Sequence, residues 1–177
     1  VVAMYATHEV ALFQGDGKGG FIERSRFLSR GHTPNRVRCG DINGDGRVDI
    51  AVSHPYAEDS IVIFYGDGNF AFPLSQEIQL GTDLQVLEHE IRDIVLDDLN
   101  GDGRLDLAAA CHASGKVMVL LNRSAAGEIP QRFAVETYSF DEGKPRAIAA
   151  APYADKKVKH LAVALWETNS VVVLGTR

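Results

Sequence analysis

Cysteine is scarce in this chain, with only Cys39 and Cys111 in 177 residues. Two cysteines are too few for a disulfide framework, and no CxxC pair starts a zinc site, so the redox compartment stays open. No apolar run approaches the roughly 20 residues that a membrane-spanning helix needs. The first residues also lack the basic, then apolar, then small-residue order of a signal peptide. The expectation is a soluble chain with any export signal already absent and no membrane insertion. Lysine and arginine form no cluster along any stretch, and the formal charge is −6. That balance argues against nucleic acid or an anionic membrane as the main partner and suits cation binding. Helical periodicity of 3.6 residues is missing too, which excludes a helical solenoid. No Ser/His/Asp arrangement, nucleotide-binding glycine loop or zinc signature is visible, so nothing selects an enzyme.

What is present is a repeat. With 45% apolar and 24% charged residues the chain can bury a core. The segment DINGDGRVDIAV begins at Asp41 and DLNGDGRLDLAA at Asp98, 57 residues later. A further 54 residues on, at Pro152, PYADKKVKHLAVA keeps the apolar tail Leu161, Ala162, Val163 without the acidic loop. It reads as a third, decayed copy. Upstream, the same frame aligns Pro34, Ile91 and Pro145, then Val37, Ile94 and Ile148, then Cys39, Leu96 and Ala150. That alternation is a strand signal, and it makes Cys39 a small buried hydrophobe.

Each loop is followed by two short apolar runs, VDIAVS and SIVIFYG in one unit and LDLAAA and KVMVLLN in the next. Near-continuous Val, Ile, Leu and Ala implies strands covered on both faces. A further run follows GDGNFAF, where Asp67 and Gly68 are read as a tight hairpin turn, so a unit is about four strands. The expected fold is all-β, with β-propeller blades of about four antiparallel strands in a partial propeller of roughly three to four blades. Residues 1–177 form one such unit, with repeats at about 1–31 (partial), 32–88, 89–142 and 143–177 (partial). The chain is read as beginning inside one repeat and ending before the last strand of another. Rings of this kind usually close with about 4 to 8 blades. Completion by further repeats in cis or by a second chain in trans is therefore expected.

The acidic loops carry the chemistry. Calcium takes about six to eight oxygens from carboxylates, amides and backbone carbonyls. In the first loop the ligand positions fall on Asp41, Asn43, Asp45, the Arg47 carbonyl and Asp49. In the second they fall on Asp98, Asn100, Asp102, the Arg104 carbonyl and Asp106. Odd spacing lets a coiled loop aim successive oxygens inward, with Gly44, Gly46, Gly101 and Gly103 supplying its backbone angles. An EF-hand would need Glu at position 12, where this chain has Val52 and Ala109. The alternative is a pair of Asx-turns whose side chains bond their own backbone. In the decayed copy the four side-chain positions are Pro152, Ala154, Lys156 and His160. That set is unfit for calcium, and Lys156 places a positive charge there instead.

Other residues invite chemistry less strongly. His54 and Cys111 occupy matching places after Asp49 and Asp106, with His112 beside Cys111. A Cys/His nucleophilic site is the sharper reading and strand-end polar residues the plainer one. Trp166, the only tryptophan, forms a connection with Glu167, Thr168 and Asn169 and offers a face on which a sugar could stack.

The DxNxDGxxD loops, the DIAV and DLAA strands and VIFYGDGNF resemble the FG-GAP or VCBS-type repeat of integrin α-subunit propellers and many secreted proteins. The likeness is closer to the bacterial-type repeat than to an integrin. It implies two Ca2+ sites that brace the propeller, a location outside the cell, and adhesion or carbohydrate binding. The preferred expectation is a non-catalytic, calcium-binding module with a protein or glycan ligand. The alternatives are the propeller of a calcium-dependent polysaccharide lyase, a lectin, or a scaffold within a larger protein.

Overall fold

The apolar runs after each acidic loop become strands buried on both faces. In a computed structural model of the chain, the structure describes residues 1–56, 59–81, 89–152 and 159–175. The first sheet holds β1 (Val2–Met4), β2 (Glu9–Gly15) and β3 (Phe21–Leu28). The second holds β4 (Arg36–Gly40), β5 (Asp49–His54), β6 (Ser60–Tyr65) and β7 (Leu74–Gln79). The third holds β8 (Ile91–Asp97), β9 (Asp106–Cys111), β10 (Lys116–Asn122) and β11 (Phe133–Ser139). The fourth holds β12 (Pro145–Pro152), β13 (Lys159–Leu165) and β14 (Ser170–Gly175). Every pairing is antiparallel between chain neighbours, so each sheet is a meander and the molecule is a partial β-propeller.

Strand alternation divides each middle strand between two cores. In β6, Ile61, Ile63 and Tyr65 enter the layer shared with the third sheet, whereas Val62 and Phe64 enter the layer shared with the first. In β9, Leu107, Ala109 and Cys111 face the second sheet, and Ala108 and Ala110 face Leu161 and Val163 of the fourth. A register slip of one residue would exchange both sets at once, so packing on two sides pins each strand. The outer strands β7 and β11 alternate between partial burial and exposure. The first strands β4, β8 and β12 sit at the sheet edges and contact one another, which places them along a common axis.

Two expectations are corrected. Cys39 is exposed. The pleat puts it on the same side of β4 as Val37, towards the first sheet, and short β1 brings little against β4 there. Asp67 and Gly68 do not form a two-residue turn, because β6 ends at Tyr65 and β7 starts at Leu74. Instead the Asp67 carboxylate accepts the N–H groups of Asn69 and Ala71 at 2.7 and 3.2 Å, an Asx-turn that closes a longer loop. Asp16 repeats this in the first sheet with the N–H groups of Lys18 and Gly20. Of the decayed acidic loop, Pro152 ends β12 and His160 lies in β13, while Ala154 and Lys156 lie outside the described residues.

His54 closes β5 with no exposed surface and no hydrogen-bond partner for either ring nitrogen. Gly31 lies against it so closely that a Cβ there would stand 2.6 Å from the imidazole. Burial, and then the neighbouring His32 and His8, push its pKa from 6.5 down to about 4. As pH falls, the unfolded chain therefore takes this proton first. Stability from His54 is fully present above about 6.5 and is lost down to about 4, a difference of roughly 3 kcal/mol. Between pH 7 and pH 4 the wild type should lose roughly 3 kcal/mol relative to His54→Leu, so their unfolding midpoints should separate in the variant's favour towards the acid end. Carboxylates common to both proteins cancel in the difference, and parallel pH profiles would refute the assignment.

Candidate metal centre

Both acidic loops are built the same way, atom for atom in most contacts. In the first, the Asp41 carboxylate accepts the N–H groups of Asp45 (3.0 Å) and Gly46 (2.9 Å). The Asn43 amide oxygen accepts Asp45 N–H at 3.1 Å, and Asp45 accepts Arg47 N–H at 2.9 Å. In the second, Asp98 accepts Asp102 N–H (3.1 Å) and Gly103 N–H (2.9 Å), and Asn100 and Asp102 repeat the other two bonds. This winding needs left-handed backbone, and Gly44, Gly46, Gly101 and Gly103 have φ of 72°, 85°, 80° and 85°. Here the Asx-turn and the metal-loop readings meet. The carboxylates face loop N–H groups, and each oxygen of Asp41 and Asp45 keeps a second acceptor site, whereas Asp98 Oδ1 accepts two loop N–H groups and Asp102 Oδ2 accepts the Asn100 amide and the Arg104 guanidinium.

The acids at the ninth position do something the spacing alone did not disclose. Asp49 and Asp106 open β5 and β9 and are fully buried. One Asp49 oxygen accepts Ile42 and Asn43 N–H at 2.9 and 3.3 Å, and the other accepts Gly66 N–H at 2.9 Å. Asp106 likewise joins Leu99 N–H (3.0 Å) to Asn122 N–H (2.7 Å). Each therefore ties the start of its loop to the residue that ends the third strand or follows it. Gly66 must be glycine for this approach, since a Cβ would lie 2.2 Å from the Val48 carbonyl oxygen.

Burial raises the Asp106 pKa to about 6, against the N–H bonds that lower it, and the charges of Asp102 and Asp98 raise it further. Asp49 is raised for the same first reason, with Asp45 adding repulsion. Neighbouring sheets support the loops as well. Asn122 donates its side-chain N–H to the Ile42 carbonyl at 3.0 Å, and Gly127 N–H reaches the Asn43 carbonyl at 2.6 Å.

Among the described residues no three His, Cys, Asp or Glu side chains converge as a metal-holding group. The predicted donors of each loop nevertheless lie on one tightly wound segment and are all oxygens: Asp41, Asn43, Asp45, Asp49 and the Arg47 carbonyl, then Asp98, Asn100, Asp102, Asp106 and the Arg104 carbonyl. The set fits a hard cation. The three carboxylates in each loop repel one another, the condition a cation relieves.

The Cys/His constellation does not assemble as a nucleophile. Cys111 is fully buried, its thiol is pushed up to about 12 by burial, and its sulfur lies 3.8 Å from the Ala109 carbonyl. Trp166 is 62% exposed in the connection between β13 and β14, where the sequence placed it.

Compared with known families, the FG-GAP-like repeat matches residues 1–52 and 41–109. Each match ends in the strand that follows an acidic loop, so the repeat frame coincides with the loops. No curated protein matches.

The two kinds of acid should separate without any metal. In chelator, Asp49→Ala strands three buried N–H groups and should cost on the order of 3 kcal/mol in urea unfolding. Asp45→Ala, at an exposed position whose partners are the Arg47 N–H and the Asn43 amide, should cost under about 1 kcal/mol. Equal losses would show that the ninth-position acid is not the clasp described.

Proposed function

The chain belongs to the FG-GAP-like repeat family, and from that premise we propose that this propeller-like binding module is non-catalytic, extracellular and braced by two calcium ions. The first site is Asp41, Asn43, Asp45, Asp49 and the Arg47 carbonyl. The second is Asp98, Asn100, Asp102, Asp106 and the Arg104 carbonyl. The observation that carries the reading is the duplication of one all-oxygen loop, clamped by a buried carboxylate between two strands in both copies. A turn alone does not need three carboxylates.

Calcium would supply positive charge that relieves the repulsion within each loop. The chain's own residues do the rest. Asp49 and Asp106 hold loop to strand, glycine backbone lets the loop wind tightly, and Asn122 fixes the first loop to the next sheet. Function then falls to surfaces away from the loops, which present a protein or glycan ligand with a rigid face.

Thermal unfolding with and without millimolar calcium, with magnesium as control, tests this directly. Calcium at 100 times its dissociation constant should stabilise the fold by about 2.7 kcal/mol per site. Asp45→Ala and Asp102→Ala should each remove part of the shift. An unchanged melting temperature, with no metal in the purified protein, would reduce the loops to turns.

A further inference from the structure

The axis has a second end. Strand pairs β4–β5 and β8–β9 run from the acidic loops, where Gly40 pairs Asp49 and Asp97 pairs Asp106, to the opposite end, where Arg36 pairs Ser53 and Ile91 pairs Cys111. At about 3.3 Å per residue the two ends of β8 lie roughly 20 Å apart. On this acidic chain the far end of the axis is lined with arginine.

Two arginines there, Arg36 and Arg38, share one carboxylate oxygen of Asp93 at 3.2 and 3.0 Å. Asp93 is nearly buried and its other oxygen accepts Ile148 N–H at 3.2 Å, so β4, β8 and β12 meet at this group. A single carboxylate leaves one of the two guanidinium charges unbalanced, and both side chains remain substantially exposed, at 45% and 36%.

The other two arginines are set by irregularities. Pairing slips between Ile91 and Asp93 and again between Pro145 and Ala147, so Arg92 and Arg146 are the extra residues of two bulges at the same point of β8 and β12. A bulge redirects a side chain. Here each guanidinium lies over an aromatic ring, Arg92 at 5.7 Å from the Tyr56 centroid and Arg146 at 4.9 Å from that of Trp166. Glu90 and Glu167 at this end are engaged with Arg92 and Lys144.

We propose that this end of the axis binds an acidic glycan, its carboxylates on Arg36, Arg38 and Arg146, with Arg92 held by Glu90 against Tyr56, and its sugar face on Trp166. Guanidinium matches carboxylate through paired N–H bonds, and the exposed indole beside it offers the flat apolar surface that a sugar ring covers. An acidic peptide would use the arginines but has no need of the indole. The proposal rests on the chain being a binding module and does not depend on calcium.

Calorimetric titration with oligogalacturonate tests it, alongside a malto-oligosaccharide of equal length and poly-glutamate. Quenching of Trp166, the only tryptophan, reports where the ligand sits. We expect oligogalacturonate to bind, quench and weaken with salt. Arg146→Gln, on an exposed bulge residue, should lower affinity roughly tenfold, as should Arg36→Gln if its melting temperature is retained. Binding should persist in chelator, whether or not calcium raises the melting temperature, which separates failure of the metal reading from failure of this one. Recovery of a cleaved oligosaccharide would keep the site and overturn the non-catalytic reading. No binding, equal binding of the neutral sugar or poly-glutamate, or full affinity in folded Arg146→Gln would overturn the proposal.

Discussion

The repeat depends on one buried carboxylate per unit. Asp49 and Asp106 sit where the chain leaves a wide loop and enters a strand covered on both faces, and each collects N–H groups that no strand ladder can satisfy. Loop backbone buried without partners would cost about 1–3 kcal/mol per group. A neutral side chain of that size has fewer acceptor sites, so charge is kept in spite of its burial. The Asp106 pKa is raised because desolvation outweighs the bonds that favour the ionised form.

From that clasp the packing follows. With loop, first strand and third strand held in register, alternate residues of β5, β6, β9 and β10 can serve two cores, one on each side. The small residues Ala108, Ala109 and Ala110 in β9 let neighbouring sheets approach over it, while Leu107 and Leu120 fill the layer on one side and Leu161 and Val163 the layer on the other. Stability is thus shared between sheets rather than owned by any one of them.

The sequence revealed what repeats and concealed what does not. The two loops, the paired apolar runs and the bladed all-β fold were legible because the same residue types recur at a fixed spacing. So was Trp166 as a connection between strands. Cys39 was misread because its frame partners Leu96 and Ala150 are only partly buried, and its own exposure depends on how little β1 covers. The turn at Asp67 looked like a two-residue hairpin because Asp-Gly marks both forms, and only the strand ends separate them. The arginines escaped notice for a different reason. They are scattered at 36, 38, 92 and 146, so no stretch of chain is basic, and two of them reach their positions through bulges that leave no compositional trace.

Placement explains how a chain of net charge −6 gathers acidic loops at one end of the axis and sets arginines at the other. The innermost strands run in one sense, so whatever precedes them gathers at one end of the axis and whatever follows them gathers at the other. The loops after β4 and β8 carry Asp41, Asp45, Asp98 and Asp102 at one end, and the starts of β4, β8 and β12 carry the arginines at the other, with Arg36 and Arg38 meeting on Asp93. Charges some 20 Å apart are screened from each other beyond the roughly 8–10 Å over which they act in physiological salt. Only Arg38, three residues and about 10 Å from Asp41 along β4, stands near that range, so the two ends are largely separate electrically. What couples them is mechanical, through strands that begin beside Asp93 and end at the clasped loops.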